Sequence, residues 1–370
     1  MAPMSWGTES EGFEVSRPGV WVAMLVAFVA WQRPDVELLG QSVVQNEEVL
    51  AHVNGPIAFI VGCDRRPEFI WVGSQNKVYE FRIRQAGGNQ WVLEPERSIE
   101  LPMGHVYCAV PDHLEDFLWI GGGDPGQSGT ISKVDFQKAE VIETWELHAD
   151  VVTSLAVSAD GQRLASTSWD QTVAVFDRDF GRSQGMAGHS GGVTGLTWVD
   201  DHLLVTGSED HTLRVWNVVN GGQIRAMEHH TGGVVGLVQA QATVSEGQKA
   251  SQVATIGRDR TVRLWQPERG RMVRFVRLDS QPKAIMRCEW KEVHRDGDDE
   301  VHRLADTSSA TICAVGGDRG QLWIIDMDRA KVIFRHQFVA RDWIQSLYWN
   351  SQFGFGLAGT SQGAIFGFFP

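Results

Sequence analysis

The 370-residue sequence lacks paired cysteine motifs and an excess of basic residues. Both absences reduce the number of functions that the sequence favours. Its four cysteines, Cys63, Cys108, Cys288 and Cys313, form no Cys-x-x-Cys pair. This disfavours a disulfide framework or a zinc site, and it predicts buried thiols in a reducing compartment, cytoplasmic or nuclear. With 33 Lys and Arg against 46 Asp and Glu, the formal net charge is -13. Such a charge disfavours nonspecific attraction to nucleic acid or anionic lipid.

A long apolar run is also lacking. The longest, residues 19–31, has 13 residues, whereas a membrane-spanning helix needs about 20. The preceding residues carry Glu9, Glu11 and Glu14 against a single Arg17, where a secretory signal would be basic. We therefore predict an extra strand or short helix packed on the fold. A membrane or targeting segment is the alternative, and membrane contact is expected only if residues 19–31 insert.

What the sequence does contain is turns and repeats. Hydrophobic residues make up 42% and charged residues 21%, and there are 40 glycines, a composition typical of a turn-rich globular chain and not of a disordered one. The stretch Gly188 to Asn217 has three short alternating apolar runs separated by polar turns, a pattern that predicts a three-stranded antiparallel meander. It opens on Gly188-His189 and ends on Trp216-Asn217.

Matching units flank this stretch at residues 148–177 and 230–265, and degenerate units occupy the remaining chain from residue 41 onwards. The arrangement resembles the WD-repeat family, whose units begin on Gly-His, end on Trp-Asp and recur every ~40 to 45 residues. The resemblance implies an all-β fold: a seven-bladed β-propeller of four-stranded antiparallel blades. Residues 1–40 would form an N-terminal extension and residues 41–370 the propeller.

The chain ends on the third strand of its last unit, so the propeller needs a strand from elsewhere to close the ring. An N-terminal strand at residues 42–50 is the expected donor, because closure leaves only short protected sheet edges. The polar insert at residues 241–252 is expected to be a loop between two strands of the fifth unit.

Three units carry residues that can form a hydrogen-bonded tetrad. The turn Asp, the His ring, a Ser or Thr hydroxyl and the Trp indole N–H can be joined into one chain of hydrogen bonds that holds a small blade together. The same residue types could form a Ser-His-Asp catalytic set, but triads are recognised by geometry, and we predict a structural role. The residues concerned are His148, Ser166 and Asp170 in the third unit, His189, Thr206, Asp210 and Trp216 in the fourth, and His230, Thr255, Asp259 and Trp265 in the fifth.

No other motif indicates catalysis, a cofactor or a metal. The glycine cluster at residues 121–126 is not followed by Gly-Lys-Ser/Thr or by a helix, so it is interpreted as a turn and not as a phosphate-binding loop. The acidic run at residues 296–300 lacks the full spacing of a calcium loop. We therefore expect a non-catalytic protein without a cofactor or metal.

The resemblance implies a scaffold or adaptor subunit of a larger protein complex. In the family, residues three and five after the blade His and the residue before the turn Asp face partners on the narrow end of the ring. Here the partner-binding residues would be Val151, Thr153, Trp169, Glu209, Arg258, Trp343 and Gln345. The alternatives are an RNA-protein assembly factor of the ribosome-biogenesis type, a ubiquitin-ligase substrate receptor and, less favoured, a propeller enzyme. Arginines at residues 258–277 are the best candidates for RNA contact, although their spacing is typical of solvent-facing positions on half-buried strands.

Overall fold

The structure is a computed structural model that describes residues 36–37, 49–87, 90–112, 116–177, 183–245, 248–289, 311–339 and 341–369. In these ranges the chain forms seven antiparallel sheets. The helices described there are two short 3-10 turns, Pro267–Arg269 and Asp318–Gly320. The predicted all-β, seven-bladed propeller is therefore confirmed.

The first three blades each contain four strands that are consecutive in the sequence. Blade 1 comprises β3 (Ile57–Cys63), β4 (Arg66–Ser74), β5 (Lys77–Gly87) and β6 (Gln90–Glu100); blade 2 comprises β7 (His105–Pro111), β8 (Phe117–Asp124), β9 (Ser128–Asp135) and β10 (Glu140–His148); blade 3 comprises β11 (Val152–Val157), β12 (Arg163–Ser168), β13 (Thr172–Asp177) and β14 (Ser183–Ala187). In each blade the first strand contacts the first strands of the neighbouring blades and the fourth lies at the outer edge.

Blades 4 to 6 repeat this order and blade 7 departs from it. Blade 4 comprises β15 (Val193–Trp198), β16 (Leu203–Ser208), β17 (Leu213–Asn217) and β18 (Gly222–Met227); blade 5 comprises β19 (Val234–Ser245), β20 (Gln248–Gly257), β21 (Thr261–Gln266) and β22 (Arg271–Arg277); blade 6 comprises β23 (Pro282–Arg287), β24 (Ile312–Gly317), β25 (Gln321–Asp326) and β26 (Lys331–Gln337); blade 7 comprises β27 (Ile344–Asn350), β28 (Phe355–Thr360) and β29 (Ala364–Phe368), completed by β2 (Val49–Val53) and β1 (Val36–Glu37).

The ring is closed by an N-terminal strand, as predicted, but the boundaries differ. Strand β2 pairs antiparallel with β29, with Ala51 opposite Ile365. It continues to Val53, whose N–H donates to the Gly363 carbonyl over 2.9 Å. The expected strand at residues 42–50 thus ended three residues too early, because burial of Ala51 and Val53 prolongs the strand into what looked like a connection. Residues 42–48 lie outside the described residues.

The insert in blade 5 is not the loop that we expected. Strands β19 and β20 continue pairing through it, with Thr243 opposite Ala250 and Ser245 opposite Gln248. Main-chain N–H and C=O groups need partners whatever the side chains are, and the prolonged hairpin supplies them. Polarity alone was therefore a poor guide to loop structure at this point.

The apolar core is divided among the contacts between blades. Seven clusters of buried side chains each combine residues from two successive blades, and the seventh joins blade 7 to blade 1. Between blades 4 and 5, for example, Val215 and Val253 pack with Trp265. Each blade is a single sheet and buries its two sides against different neighbours, so no blade has an apolar core of its own.

The tetrad in blade 4 forms a continuous chain of hydrogen bonds. The His189 Nδ1–H donates to Asp210 Oδ2 over 2.8 Å, and the Thr206 hydroxyl lies 2.8 Å from His189 Nε2. The indole N–H of Trp216 donates to Thr206 Oγ1 over 2.8 Å. The turn, the second strand and the third strand of the blade are thereby tied together.

Blade 5 repeats these contacts, whereas blade 3 makes only part of them. In blade 5 the corresponding distances are 2.9 Å for His230–Asp259, 2.9 Å for His230–Thr255 and 2.9 Å for Trp265–Thr255. In blade 3, His148 lies 3.1 Å from Asp170 and 2.8 Å from Ser166. Phe176 stands in the position of the tryptophan, so the Ser166 hydroxyl receives no indole N–H.

Burial sets the charges within the tetrads. Removal from water lowers the pKa of His148, His189 and His230, despite the opposing effect of the carboxylate beside each ring. Burial alone would raise the pKa of the carboxylates, but hydrogen bonds from the neighbouring Thr, His and backbone N–H groups outweigh it and hold the pKa of Asp210 at about 2. Hydrogen bonds lower the pKa of Asp170 and that of Asp259 in the same way. Each tetrad therefore has a neutral ring beside an ionised carboxylate at neutral pH.

We predict that Asp210→Ala lowers the free energy of unfolding by about 1 to 3 kcal/mol, because it removes the closest acceptor of the buried His189 N–H, at 2.8 Å. Chemical denaturation of the two proteins measures the difference. Asp177→Ala, at an exposed strand end, serves as the control and should change it by no more than about 0.5 kcal/mol. Equal effects of the two substitutions would contradict the role of the tetrad.

Acidification should destabilise the protein. The three tetrad histidines have folded pKa values below the ordinary 6.5, so the unfolded chain binds more protons once the pH falls below that value. The stability that the three neutral rings contribute is fully present above about pH 6.5. It decreases as the pH falls towards the pKa values of the histidines in the folded protein. The thermal unfolding midpoint, measured from about pH 8 to pH 5, should fall, with a shallower slope for His189→Gln. A midpoint that rises on acidification would refute the assignment of neutral rings.

The closing strand can be tested within β2 itself. Val53 is fully buried and Val49 is half-buried, so Val53→Thr places a hydroxyl in the apolar core and should cost about 1 to 3 kcal/mol. Val49→Thr is the matched control, and it should lower the free energy of unfolding by less. Unfolding by denaturant measures both, and equal small losses would show that β2 does not close the ring in solution.

Candidate functional site

The partner-binding residues predicted from the repeat spacing lie at one end of the ring. They occupy equivalent positions in successive blades. A backbone N–H just after the second strand donates to the carbonyl of a residue just before the first strand. These pairs are Trp169 to Val151 (3.2 Å), Glu209 to Gly192 (3.0 Å), Arg258 to Gly233 (2.8 Å), Asp318 to Gln281 (3.1 Å) and Ser361 to Trp343 (2.9 Å). We call this end the narrow face. Sequence reasoning missed Gln281 because blade 6 has no blade His to count from. It missed Asp318 and Ser361 because Arg319 and Gln362 stand in place of the turn Asp.

A second ring of residues on the narrow face comes from an irregularity in every first strand. In all seven blades, the pairing with the second strand skips one residue near the start of the first strand, and such bulges re-aim side chains. The skipped residues are Ala58, Tyr107, Thr153, Thr194, Val235, Lys283 and Gln345. Tyr107 and Lys283 were not predicted. A bulge repeated at one place in every blade would have revealed them, but it is visible only in the strand pairing.

Trp169 offers an aromatic surface on this face. Its side chain lies directly on the backbone of Gly192 in the next blade, where a Cβ atom would come within 2.2 Å of the ring. The glycine therefore allows the indole to lie flat against blade 4 while the residue remains 43% exposed. Trp343, in blade 7, is 39% exposed. Exposed tryptophans of this kind often anchor protein partners.

Glu209 and Arg258 form a two-pronged ion pair between blades 4 and 5. Arg258 Nε lies 2.9 Å from Glu209 Oε2, and Arg258 Nη2 lies 2.7 Å from Glu209 Oε1. The Glu209 carboxylate packs on Gly233, where a Cβ atom would be 2.2 Å from Oε2. The hydrogen bond that Arg258 donates to Glu209 raises the pKa of Arg258. Because the Arg258 side chain is 53% exposed, the pair adds little stability, but it holds the guanidinium in a fixed position.

Lys283 of blade 6 lies next to this pair. Partial removal from water lowers the pKa of Lys283, nearby Arg258 lowers it further and Glu209 raises it. Trp169, Glu209, Arg258 and Lys283 therefore occupy four successive blades around the mouth of the central channel. This patch combines an exposed aromatic ring with two cations and one carboxylate.

Two of the predicted face residues support the face without presenting a side chain to a partner. Val151 is only 4% exposed, and the Thr153 hydroxyl donates to the Val193 carbonyl of the next blade over 2.6 Å. Gln345 is half-buried and, with Thr153, lines a cavity of about 230 Å³ inside the central channel. The predicted set therefore includes structural positions, because spacing along the chain does not reveal burial.

The tetrad hydroxyls are enclosed, since Ser166, Thr206 and Thr255 are residues with 0% exposure. Within the described ranges, no three His, Cys, Asp or Glu residues are placed to hold a metal. The helices of the described part of the chain are too short or too polar to cross a membrane. The apolar run at residues 19–31 and the acidic run at residues 296–300 lie outside the described residues.

The arginine-rich stretch at residues 258–277 divides between two environments. Arg263 turns inward and donates to Asp259 over 3.1 Å. Arg271, Arg274 and Arg277 are exposed on β22, together with Phe275, which is 53% exposed. Arg271, Arg274 and Arg277 therefore face solvent on the outer strand of blade 5, whereas Arg258 belongs to the narrow face.

The matches to known proteins lie in the repeats and cover only part of the chain. The family model of the WD domain, G-beta repeat, matches residues 139–177 and 182–217, which contain strands β10 to β13 and β14 to β17. The chain is similar to apoptotic protease-activating factor 1 of Rattus norvegicus, with 26% identity over 196 residues, 52% of this chain and 15% of that protein. It is also 33% identical over 96 residues to the ribosome biogenesis protein WDR12 homolog of Drosophila persimilis, 21% of this chain and 23% of that protein.

A third relative is mitochondrial division protein 1 of Pyricularia oryzae, with 32% identity over 99 residues, 26% of this chain and 15% of that protein. The matches span less than a quarter of the length of each of these three relatives, and the relatives differ in their named roles. Similarity at the level of the repeat, together with the seven blades, does not select a role. The chain is a seven-bladed β-propeller that contains WD repeats.

Proposed function

We propose that this protein is a non-catalytic scaffold or adaptor subunit that binds partner proteins on its narrow face. The observation that supports this most is the patch at the channel mouth, where Trp169 lies open beside the Glu209–Arg258 pair. Trp and Arg are the residues that most often dominate binding energy when a partner buries them. Both are held in place before binding, Trp169 by Gly192 and Arg258 by Glu209, so a partner would meet an ordered surface.

Two further features support this proposal. The ring of interlocked blades is a rigid support, and Trp343 adds a second exposed aromatic side chain on the same face. All four cysteines are free thiols, and we propose accordingly that the protein acts in a reducing compartment, the cytoplasm or the nucleus.

A second candidate function is an RNA-protein assembly factor. It is favoured by Arg271, Arg274 and Arg277, which lie with exposed Phe275 on one outer strand, since arginines and aromatic rings together suit single-stranded nucleic acid. One of the similar proteins is named as a ribosome biogenesis protein. The overall charge of -13 opposes such binding, and for that reason we place the scaffold function first.

We predict that simultaneous Trp169→Ala, Arg258→Ala and Trp343→Ala leaves the protein folded but releases its partners. Each substitution should cost more than about 1 kcal/mol of affinity if its side chain is buried by the partner. The measurement is affinity purification of the tagged protein with mass spectrometry of what co-purifies. Thermal unfolding of the purified variant checks that the fold is intact.

The matched control replaces three exposed apolar residues on or beside outer strands, Ile142, Val219 and Ile224, with alanine, and it should retain every partner. If the narrow-face variant also retains all of them, partners bind elsewhere and the proposal fails. Partners that are lost only after ribonuclease treatment would favour the RNA-protein assembly function.

A further inference from the structure

A cleft of about 270 Å³ lies at the outer end of blade 3, where the last strand of blade 2 meets it. It is separate from the narrow-face patch. Its walls include Leu147, His148, Thr172, Ala174, Phe176 and Gly185. The volume is below the ~300–1,000 Å³ of pockets for drug-sized ligands, and it suits a single long side chain.

The neighbouring blades show what normally fills this space. The residue paired with the tetrad hydroxyl is Arg214 in blade 4 and Arg263 in blade 5. In blade 3 the residue opposite Ser166 is Ala174. Blade 3 thus has no long cationic side chain at the position that Arg214 and Arg263 occupy in the next two blades.

Two more residues, each smaller than its counterpart in blade 5, widen the cleft. Phe176 stands where blade 5 has Trp265, and Gly185 pairs with Ala174 where Phe275 pairs with Arg263. A Cβ atom placed on Gly185 would meet nothing within 4 Å. The cleft therefore results from three shorter side chains at positions that blade 5 fills with an arginine and two aromatic rings.

Blade 5 also shows which chemistry the missing group has. Arg263 Nη2 donates to Asp259 Oδ2 over 3.1 Å, and Arg263 Nε donates to Thr261 Oγ1 over 2.9 Å. In blade 3 the corresponding acceptors are Asp170 and Thr172. The Asp170 side chain is 12% exposed, against 4% for Asp259, and among the described residues no Lys or Arg is paired with it.

The surroundings of the cleft favour a cation. Glu140, Glu143 and Glu146 are exposed along β10, which leads directly into the cleft. Strands β13 and β14 contain no Lys or Arg. Burial lowers the pKa of His148, so its ring is neutral at pH 7 and does not neutralise Asp170.

We propose that this cleft binds the guanidinium group of an arginine from a basic segment of a partner protein. The guanidinium donates to Asp170 Oδ2 and to Thr172 Oγ1, as Arg263 does within blade 5. Its aliphatic carbons contact Ala174 and Phe176, and the glutamates of β10 attract the flanking basic residues. Lysine lacks the planar fork of donors that serves both acceptors at once.

The test uses the full-length protein and three short capped peptides, Gly-Arg-Gly and its counterparts with lysine or with citrulline, the uncharged isostere of arginine. Amide resonances of Thr172, Ala174 and Gly185 are followed by NMR during titration. We expect saturable shifts with the arginine peptide, and at least about tenfold weaker binding of the citrulline and lysine peptides. Equal binding of arginine and citrulline peptides, or no shifts at these residues, would overturn the proposal.

Two variants close the cleft in different ways. Ala174→Arg supplies the guanidinium from the chain itself, and Gly185→Phe covers the cleft without adding charge. Both variants should fold, and both should reduce the affinity for the arginine peptide at least about tenfold. Ile224→Arg adds the same charge on the exposed outer strand of blade 4, and it should leave the peptide affinity unchanged. If Gly185→Phe folds and binds the peptide as the unmodified protein does, the peptide binds elsewhere and the assignment is wrong.

Discussion

The contact between neighbouring blades is the interaction on which the whole structure depends. Each blade is one sheet of four strands, or five in blade 7. Its apolar side chains are buried only against the blade before it and the blade after it. A single unit therefore cannot bury enough apolar surface to be stable alone. The ring must also close, since an open ring would expose the last face. Strand β2 achieves this by placing Ala51 and Val53 in the cluster shared by blades 7 and 1.

Within that constraint, the tetrads give each blade local rigidity, and they tolerate partial loss. Blades 4 and 5 make the full set of hydrogen bonds, whereas blade 3 loses the indole donor and keeps the rest. The same blade also lacks the arginine that donates to the tetrad carboxylate in blade 5. Because neighbouring blades carry the packing, such losses do not unfold the protein, and they leave a cleft lined by His148 and Thr172. Degeneracy of a repeat can thus create a site that a perfect repeat would fill.

The narrow face depends on the same geometry. Residues far apart in sequence, such as Trp169 and Lys283, come together around the channel because each blade contributes the same two positions. Glycines at the start of blades 4 and 5 let the side chains of Trp169 and Glu209 lie across the boundary between blades. The face is therefore made from contacts between repeats, and its composition varies from blade to blade while its backbone does not.

The sequence by itself determined the all-β class, the number of blades and the residues of three tetrads, because these depend on short-range periodicity and on spacing within one repeat. It also singled out Trp169, Glu209 and Arg258, each of which directly precedes the turn Asp of its unit. Only the tertiary structure decided where the closing strand ends, that the blade 5 insert is a hairpin, and that Val151 is buried. It also decided that Lys283 joins the face and that Ala174 opens a cleft. These features depend on pairing and packing between distant parts of the chain, and a pattern along one repeat carries no information about what the next repeat places against it.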